Sequence, residues 1–167
     1  MIFAYADPPY IGLAHRYNCQ ELDHEHLVKS ILPKYDAWAL SCSSPTLLEV
    51  LSLCPKDVRV AAWVKPFCIY KPGVNPAYAW EPVIFWGGRK RGCRDLTVRD
   101  WVSANITVKK GLCGAKPEEF CLWIFSLLGA LPNDTFVDLF PGTGGVQLAW
   151  DRYRASRYAD DVTKEWA

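Results

Sequence analysis

Four residues near the start of the chain, Asp7-Pro8-Pro9-Tyr10, combine groups that can hold a planar amine. Proline fixes φ and disfavours the helical region for the residue before it, so Asp7 is expected to be extended at the end of a strand. The Pro8 carbonyl can then accept a hydrogen bond, and Tyr10 presents an aromatic face. A carboxylate, a carbonyl and a ring could together grip an exocyclic amino group. The alternative is a strand that runs into a plain proline turn.

A second candidate site lies near the other end of the chain, where residues 135–148 read TFVDLFPGTGGVQL. The apolar start predicts a strand ending near Asp138, followed by a glycine-rich turn and the start of a helix. Glycine tolerates positive φ and has no side chain, so Gly142 and Gly144 would let the backbone approach a bulky ligand closely. A glycine turn without a ligand is the alternative.

These two motifs, in this order, resemble those of the S-adenosylmethionine (SAM)-dependent DNA amino-methyltransferases of the adenine N6 and cytosine N4 type. Residues 138–144 are similar to the D-x-F-x-G-x-G loop of that family, although Pro141 and Thr143 only partly match the usual small residues. The catalytic motif precedes the cofactor motif, as in the circularly permuted beta class. The resemblance implies a Rossmann-like α/β sheet, mostly parallel with an antiparallel hairpin at one end and helices on both faces.

The resemblance also implies roles for individual residues. Asp7 and Pro8 would accept hydrogen bonds from the amine that receives the methyl group, and Tyr10 would stack on the base. Pro9 completes the catalytic motif. SAM is the implied cofactor, and the residues expected to contact it are Asp7, Lys116, Asp138, Phe140, Gly142, Gly144 and Asp160.

Aspartate at the first motif position is commoner among adenine enzymes of the family, so the resemblance favours adenine N6 methylation of DNA. Methylation of RNA or of another planar amine is one alternative. A binding module that has kept the fold but lost turnover is another. Asp160 lies close to the end of the sequence, so one expectation is a trimmed sheet that a homodimer partner completes, and the alternative is weakened cofactor binding.

Basic residues between positions 88 and 112 predict a short target-recognition segment. Cationic side chains with an interleaved aromatic residue suit phosphate contact and base stacking, whereas a solvated charged loop is the alternative. Arg16 in the loop after Tyr10, and Lys65 in a Trp-x-Lys sequence, could add to this surface. The residues predicted to contact nucleic acid are Arg16, Lys65, Arg89, Lys90, Arg91, Arg94 and Trp101.

Length and composition favour one globular domain spanning residues 1–167. Half of the residues are hydrophobic and eight are tryptophan, which argues against disorder. The formal net charge is only +1, so contact with nucleic acid must come from a local patch. Seven scattered cysteines without a C-x-x-C pair favour reduced thiols in the cytoplasm over a zinc site or disulfides. No apolar run is long enough to span a membrane.

Regular elements must position these motifs, and their periodicity can be read from the chain. Leu47, Leu48, Val50, Leu51 and Leu53 are expected to lie mostly in the core. Asp23 is the expected N-cap of a helix with His24 on its buried side. The predicted strands are 2–6, 37–41, 58–65 and 81–87, plus the one before the glycine turn, and the predicted helices are 24–34, one after Pro45, 116–128 and one after Gly145.

Overall fold

Six strands form a single sheet in this computed structural model. The structure describes residues 1–17, 19–68, 72–93, 95, 97–107 and 115–165, and in the last helix it describes side chains up to residue 156. The strand order is β5-β3-β4-β2-β1-β6. The bounds are β1 Ile2–Ala6, β2 Ala37–Ser41, β3 Arg59–Val64, β4 Trp80–Gly87, β5 Trp101–Ser103 and β6 Thr135–Asp138. Strand β4 pairs antiparallel with β2 and β3, whereas the other described pairings are parallel.

Helices cover both faces of this sheet. Helix α1 begins at His24–His26 and continues through a π turn, Leu27–Ile31, and a 3-10 turn, Leu32–Lys34, and it is followed by α2 Leu47–Leu53, α3 Glu118–Leu128 and α4 Gly145–Glu165. Side chains of α1 and α2 share one hydrophobic core with the sheet, and those of α3 and α4 share the other. The predicted fold class is therefore confirmed.

Side chains alternate between the two cores along the central strand β1. Phe3 and Tyr5 face α3 and α4, whereas Ala4 and Ala6 face α1 and α2. All four are at most 1% exposed. A strand buried on both faces reads as a continuous apolar run, which is why this short stretch is recognisable in the sequence.

Most predicted elements are present, and Asp23 caps α1 as predicted, its Oδ1 accepting a hydrogen bond from the His26 N–H at 2.8 Å. Helix α2 follows the prediction except at Leu48. Val50 is buried, and Leu47, Leu51 and Leu53 are half-buried against the same core. Leu48 is 81% exposed, because a seven-residue helix turns only one narrow face to the sheet.

The structure also bears on the state of the cysteine thiols and on the presence of membrane-spanning segments. Cys19, Cys42, Cys54, Cys68, Cys93 and Cys121 are free thiols, and Cys113 lies outside the described residues. Among the helices that the structure describes, none is long and apolar enough to cross a membrane.

The two edges of the sheet differ in which strand ends they carry. Strands β1, β2 and β6 are parallel, so their C-terminal ends lie together at what we call the carboxyl edge. Antiparallel β4 begins at this edge, where Val83 pairs with Ser41, and ends at the opposite, amino edge. Ligands of open α/β sheets bind outside the carboxyl ends of strands, so the carboxyl edge is where a site is expected.

Asp134 joins three segments at the amino edge. Its carboxylate accepts hydrogen bonds from the Met1 ammonium at 2.8 Å, the Leu131 N–H at 2.7 Å and the Arg89 guanidinium at 2.8 Å. The side chain is only 6% exposed. Burial alone would raise the pKa of Asp134, but these three donors together hold it below its ordinary value.

We expect Asp134→Ala to lower the free energy of unfolding by about 3 kcal/mol at neutral pH, because it strips a partner from a part-buried guanidinium. A lowered folded-state pKa contributes stability above the ordinary carboxyl pKa, and that stability is lost as pH falls through the folded value. The gap between wild type and variant should therefore close in acid. Urea unfolding across this pH range measures it, with the exposed Asp151→Ala as control, and equal neutral-pH stabilities would contradict the expectation.

Candidate active site

The two motifs singled out in the sequence line one cavity at the carboxyl edge. The cavity has a volume of about 420 Å³. All four residues of the Asp7–Tyr10 motif face it, as do residues 139–143 from the loop after β6. Its remaining walls are Tyr5, Tyr17, Glu81, Ala115, Lys116, Gly145 and Val146. Residues from opposite ends of the chain thus meet because β1 and β6 are neighbouring parallel strands.

The cavity lies where the chain path changes direction in the sheet. From β1 the chain reaches β2 on one side through α1, whereas β6 lies on the other side and follows α3. The two helices cover opposite faces. Such a switch point leaves a crevice between the ends of two strands, which is the usual ligand position in this architecture.

Asp7 is paired with a buried lysine. Lys116 Nζ lies 2.9 Å from Asp7 Oδ2, and the two side chains are 7% and 22% exposed. Burial raises the pKa of Asp7, and the neighbouring Lys116 ammonium offsets this only in part. Burial alone would lower the pKa of Lys116, but the carboxylates of Asp7 and Glu81 raise it above its ordinary value. Lys116 is therefore held as a cation beside Asp7.

Glu81 is a site residue that the sequence analysis did not assign. It is the second residue of β4 and forms an ion pair with Lys65. The Tyr10 hydroxyl donates a hydrogen bond to Glu81 Oε2 at 3.0 Å, and Lys116 Nζ lies 3.5 Å from the same oxygen. An isolated acid at the start of the apolar run EPVIFWG was the signal in the sequence.

A buried histidine of α1 contacts the backbone of the proline motif. His24 is 8% exposed, which confirms the prediction that it lies on the buried side of α1. Its Nε2 lies 3.2 Å from the Pro9 carbonyl oxygen. Since the Asp23 cap fixes where α1 begins, it also fixes the position from which His24 reaches the turn.

The loop after β6 takes its shape from its glycines. Gly142 and Gly144 have φ values of 48° and 75°, in the left-handed region that side-chain-bearing residues rarely adopt. The Gly144 N–H donates to the Pro141 carbonyl at 2.6 Å, and α4 begins at the next residue. Two of the residues predicted to contact the cofactor, Phe140 and Gly142, line the cavity, whereas Gly144 lies in the turn and is not part of its lining.

Asp138, at the end of β6, has one satisfied and one unsatisfied carboxylate oxygen. The Phe140 N–H donates to Oδ1 at 3.2 Å. Oδ2 is buried and has no hydrogen-bond partner among the described residues. Burial raises the pKa of Asp138, because no full set of donors compensates for the lost water. An orphaned buried acceptor of this kind fits a donor brought by a ligand.

The prediction for Asp160 assumed a second strand after the loop, and the structure corrects that assumption. Asp160 lies within α4, and its side chain is outside the described part of the chain. No glycine or proline occurs between Val146 and Glu165, so nothing in the sequence interrupts the helix.

Three of the basic residues predicted to contact nucleic acid, Arg89, Lys90 and Arg91, lie away from the cavity. Arg89 is bound to Asp134 and, at 3.1 Å, to the Gly129 carbonyl. Arg91 contacts the Ser126 carbonyl, and Lys90 is exposed. All three follow the end of β4 and thus leave the sheet at the amino edge, opposite the cavity. Arg94 lies outside the described residues.

Three other predicted contacts lie in different surroundings. Trp101, the first residue of β5, is 43% exposed, with the Arg99 guanidinium 5.3 Å from its ring centroid. Arg16 is exposed on a 3-10 turn that also carries Tyr17 of the cavity wall. Lys65 points inward, towards Glu81 and the Trp63 ring.

The sequence matches no family model and no curated protein. The fold does match solved structures of M1.HpyAVI. Its complex with SAM superposes with a TM-score of 0.60 at 17% identity, covering 92% of this chain and 77% of that one. A second M1.HpyAVI structure gives a TM-score of 0.55 at 17% identity, covering 91% and 75%. At this level of identity the likeness shows a shared fold.

Proposed function

We propose that this chain is a SAM-dependent methyltransferase that acts on the N6 amine of adenine in DNA. One observation carries the proposal: the Asp7–Tyr10 motif and the glycine loop after β6 line the same cavity. The motif can hold a planar amine, and the loop suits a bulky ligand. The fold shared with a structure that contains SAM supports the assignment of the cofactor.

The residues around the glycine loop fit SAM. Oδ2 of Asp138 lacks a donor, which the ammonium of the methionyl group would provide. The carboxylates of Asp7 and Glu81 pair with the ammonium groups of Lys65 and Lys116. Asp138 adds a third carboxylate that forms no salt bridge among the described residues, so the surroundings favour a cationic ligand. Bound here, SAM would supply an electrophilic methyl group on its sulfonium.

The residues of the proline motif would then prepare the amine. An exocyclic aromatic amine is a poor nucleophile because its lone pair is delocalised into the ring. The Asp7 carboxylate and the Pro8 carbonyl would accept hydrogen bonds from its two N–H groups and favour a pyramidal nitrogen whose lone pair is directed away from the ring. Asp7 must be ionised for this, and Lys116 at 2.9 Å favours that form. The Tyr10 ring would stack on the extruded base.

Aspartate at the first position of the proline motif resembles the adenine enzymes of the family, and this favours adenine in DNA as the substrate. Exposed Trp101 offers a stacking surface, and Arg16 a cation near the cavity wall. RNA is the alternative polymer, and pairing of two copies stays a prediction.

Transfer of label from methyl-labelled SAM to single- and double-stranded DNA and RNA tests the proposal. We expect label on adenine in DNA. Label confined to RNA would overturn the choice of polymer but keep the reaction. SAM binding without transfer to any polymer would indicate a binding module, and absence of SAM binding would overturn the proposal altogether.

We expect Asp138→Ala to weaken SAM binding roughly 10- to 100-fold, the range for a hydrogen bond to a charged group. The variant should lose at most about 1 kcal/mol of stability, because it removes the hydrogen bond from the Phe140 N–H but also a buried oxygen that has no partner. Calorimetric titration and thermal unfolding measure the two effects. The exposed Asp100→Ala serves as control. Unchanged SAM affinity, or a large loss of stability, would show that Asp138 is structural.

A further inference from the structure

Glu81 occupies the centre of the charged groups beside the proline motif. Its side chain is 20% exposed at the carboxyl edge. Oε1 pairs with Lys65, while Oε2 accepts the Tyr10 hydroxyl at 3.0 Å and lies 3.5 Å from Lys116 Nζ. One carboxylate therefore touches the proposed stacking ring directly and reaches Asp7 through a shared lysine.

We propose that Glu81 is a positioning residue of the methyl transfer. It fixes the ring of Tyr10 as the wall against which the base stacks, and it shares Lys116 with Asp7 so that Asp7 remains a strong acceptor. This inference rests on the proposed function, and it concerns a residue that does not itself touch the amine.

The contact with Tyr10 orients the ring. The backbone of Tyr10 is held by the two preceding prolines and by the Leu13 N–H, which donates to its carbonyl at 2.8 Å, but neither fixes the ring. A hydrogen bond from its hydroxyl to an ionised acceptor is roughly twice as strong as one between neutral groups. Anchoring the far end of the side chain limits rotation of the ring. Phenylalanine would present the same face but would lack this anchor.

The contact with Lys116 tunes Asp7. The ammonium lies 2.9 Å from Asp7 and 3.5 Å from Glu81, so its charge is divided between two carboxylates. Without Glu81 it would neutralise Asp7 alone, and Asp7 would accept the amine hydrogens less strongly. The Lys65 ammonium pairs with Glu81, and it lies 4.6 Å from the Trp63 ring centroid. Burial would raise the pKa of Glu81, but Lys116 and Lys65 lower it overall, so Glu81 stays ionised.

Three variants separate the two contacts. Glu81→Gln keeps an oxygen for the Tyr10 hydroxyl but loses the charge that Lys116 feels. Tyr10→Phe loses the hydrogen bond but keeps the ring, and Glu81→Ala loses both contacts. The control is Glu49→Gln, at an exposed position of α2 that does not line the cavity. Circular dichroism verifies folding of each variant.

We expect Tyr10→Phe to raise KM for DNA roughly tenfold with little change in kcat. Glu81→Gln should lower kcat roughly tenfold. It should also move the acidic limb of the pH profile to lower pH, since the negative charge of Glu81 raises the pKa of Asp7. Adding Tyr10→Phe to Glu81→Ala should give no further rise in KM, because the anchor is already lost.

A titration of Tyr10 tests the contact without any turnover. Burial, together with the charges of Asp7 and Glu81, raises the pKa of Tyr10 well above its ordinary value. NMR of carbon-labelled tyrosine, assigned with Tyr10→Phe, should show this pKa fall in Glu81→Gln. A wild-type protein that transfers no methyl group refutes the proposed function but leaves this result interpretable. The inference about Glu81 is overturned if Glu81→Gln lowers neither or only one of two quantities, the pKa of Tyr10 and the acidic limb of the pH profile. It is also overturned if adding Tyr10→Phe to Glu81→Ala raises KM further by the full factor that Tyr10→Phe gives alone.

Discussion

Asp7→Ala is expected to lower methyl transfer by at least about a thousandfold, the upper range for removing one preorganised hydrogen-bonding group from a reacting centre. Asp7 would carry half of the contact to the amine, and no other described carboxylate stands at the end of β1. Label transfer at saturating SAM measures the loss. The variant should still fold, because Lys116 keeps Glu81 as a partner at 3.5 Å.

Asp7→Asn is the matched control for this experiment. The amide keeps the shape and one acceptor oxygen but loses the negative charge. We therefore expect activity between those of wild type and the alanine variant. Near-wild-type transfer by Asp7→Ala would show that the proline motif does not hold the reacting amine.

The second large effect concerns pH. Lys116→Met removes the cation that opposes the burial of Asp7, so the pKa of Asp7 should rise further. The acidic limb of kcat/KM should move to higher pH by roughly 1–3 units, as is usual for loss of an adjacent opposite charge. Activity would be depressed at neutral pH and partly regained at higher pH.

This shift is opposite in sign to that expected for Glu81→Gln. Measuring both profiles in the same buffers tests the electrostatic model with two neighbouring residues. A Lys116→Met profile that keeps the wild-type limb while the rate falls uniformly would mean that Lys116 acts through packing instead. The exposed Lys56→Met provides the control.

The strand ends and the turn that the sequence predicted correctly around the candidate site are those with local signals. A short apolar run stopped by two prolines identifies the end of β1 whatever surrounds it. Two glycines in the sequence identify the turn after β6, because few other residues adopt the positive φ values that this turn has. Both motifs follow parallel strands, so their meeting at one edge followed from the fold class.

The charged network could not be predicted in the same way. Glu81 reaches the cavity because β4 pairs with β3 in a register that sets it opposite Trp63, and register depends on contacts between distant segments. Arg89 reads as one more cation in a basic stretch. Only the direction of β4 shows that it emerges at the amino edge, where Asp134 binds it.

Strand β6 is the outermost strand on its side of the described sheet, and this position affects how fast its backbone amides exchange with solvent. The N–H groups of Thr135 and Leu139 donate to the carbonyls of Met1, just before β1, and Tyr5 of β1, so those of the alternating residues Phe136 and Asp138 point away from β1. Amides at a sheet edge exchange with solvent deuterium sooner than those of interior strands. A ligand held by the Asp138 side chain would steady this strand, so slower exchange at β6 should report occupancy of the cavity even when no product is formed.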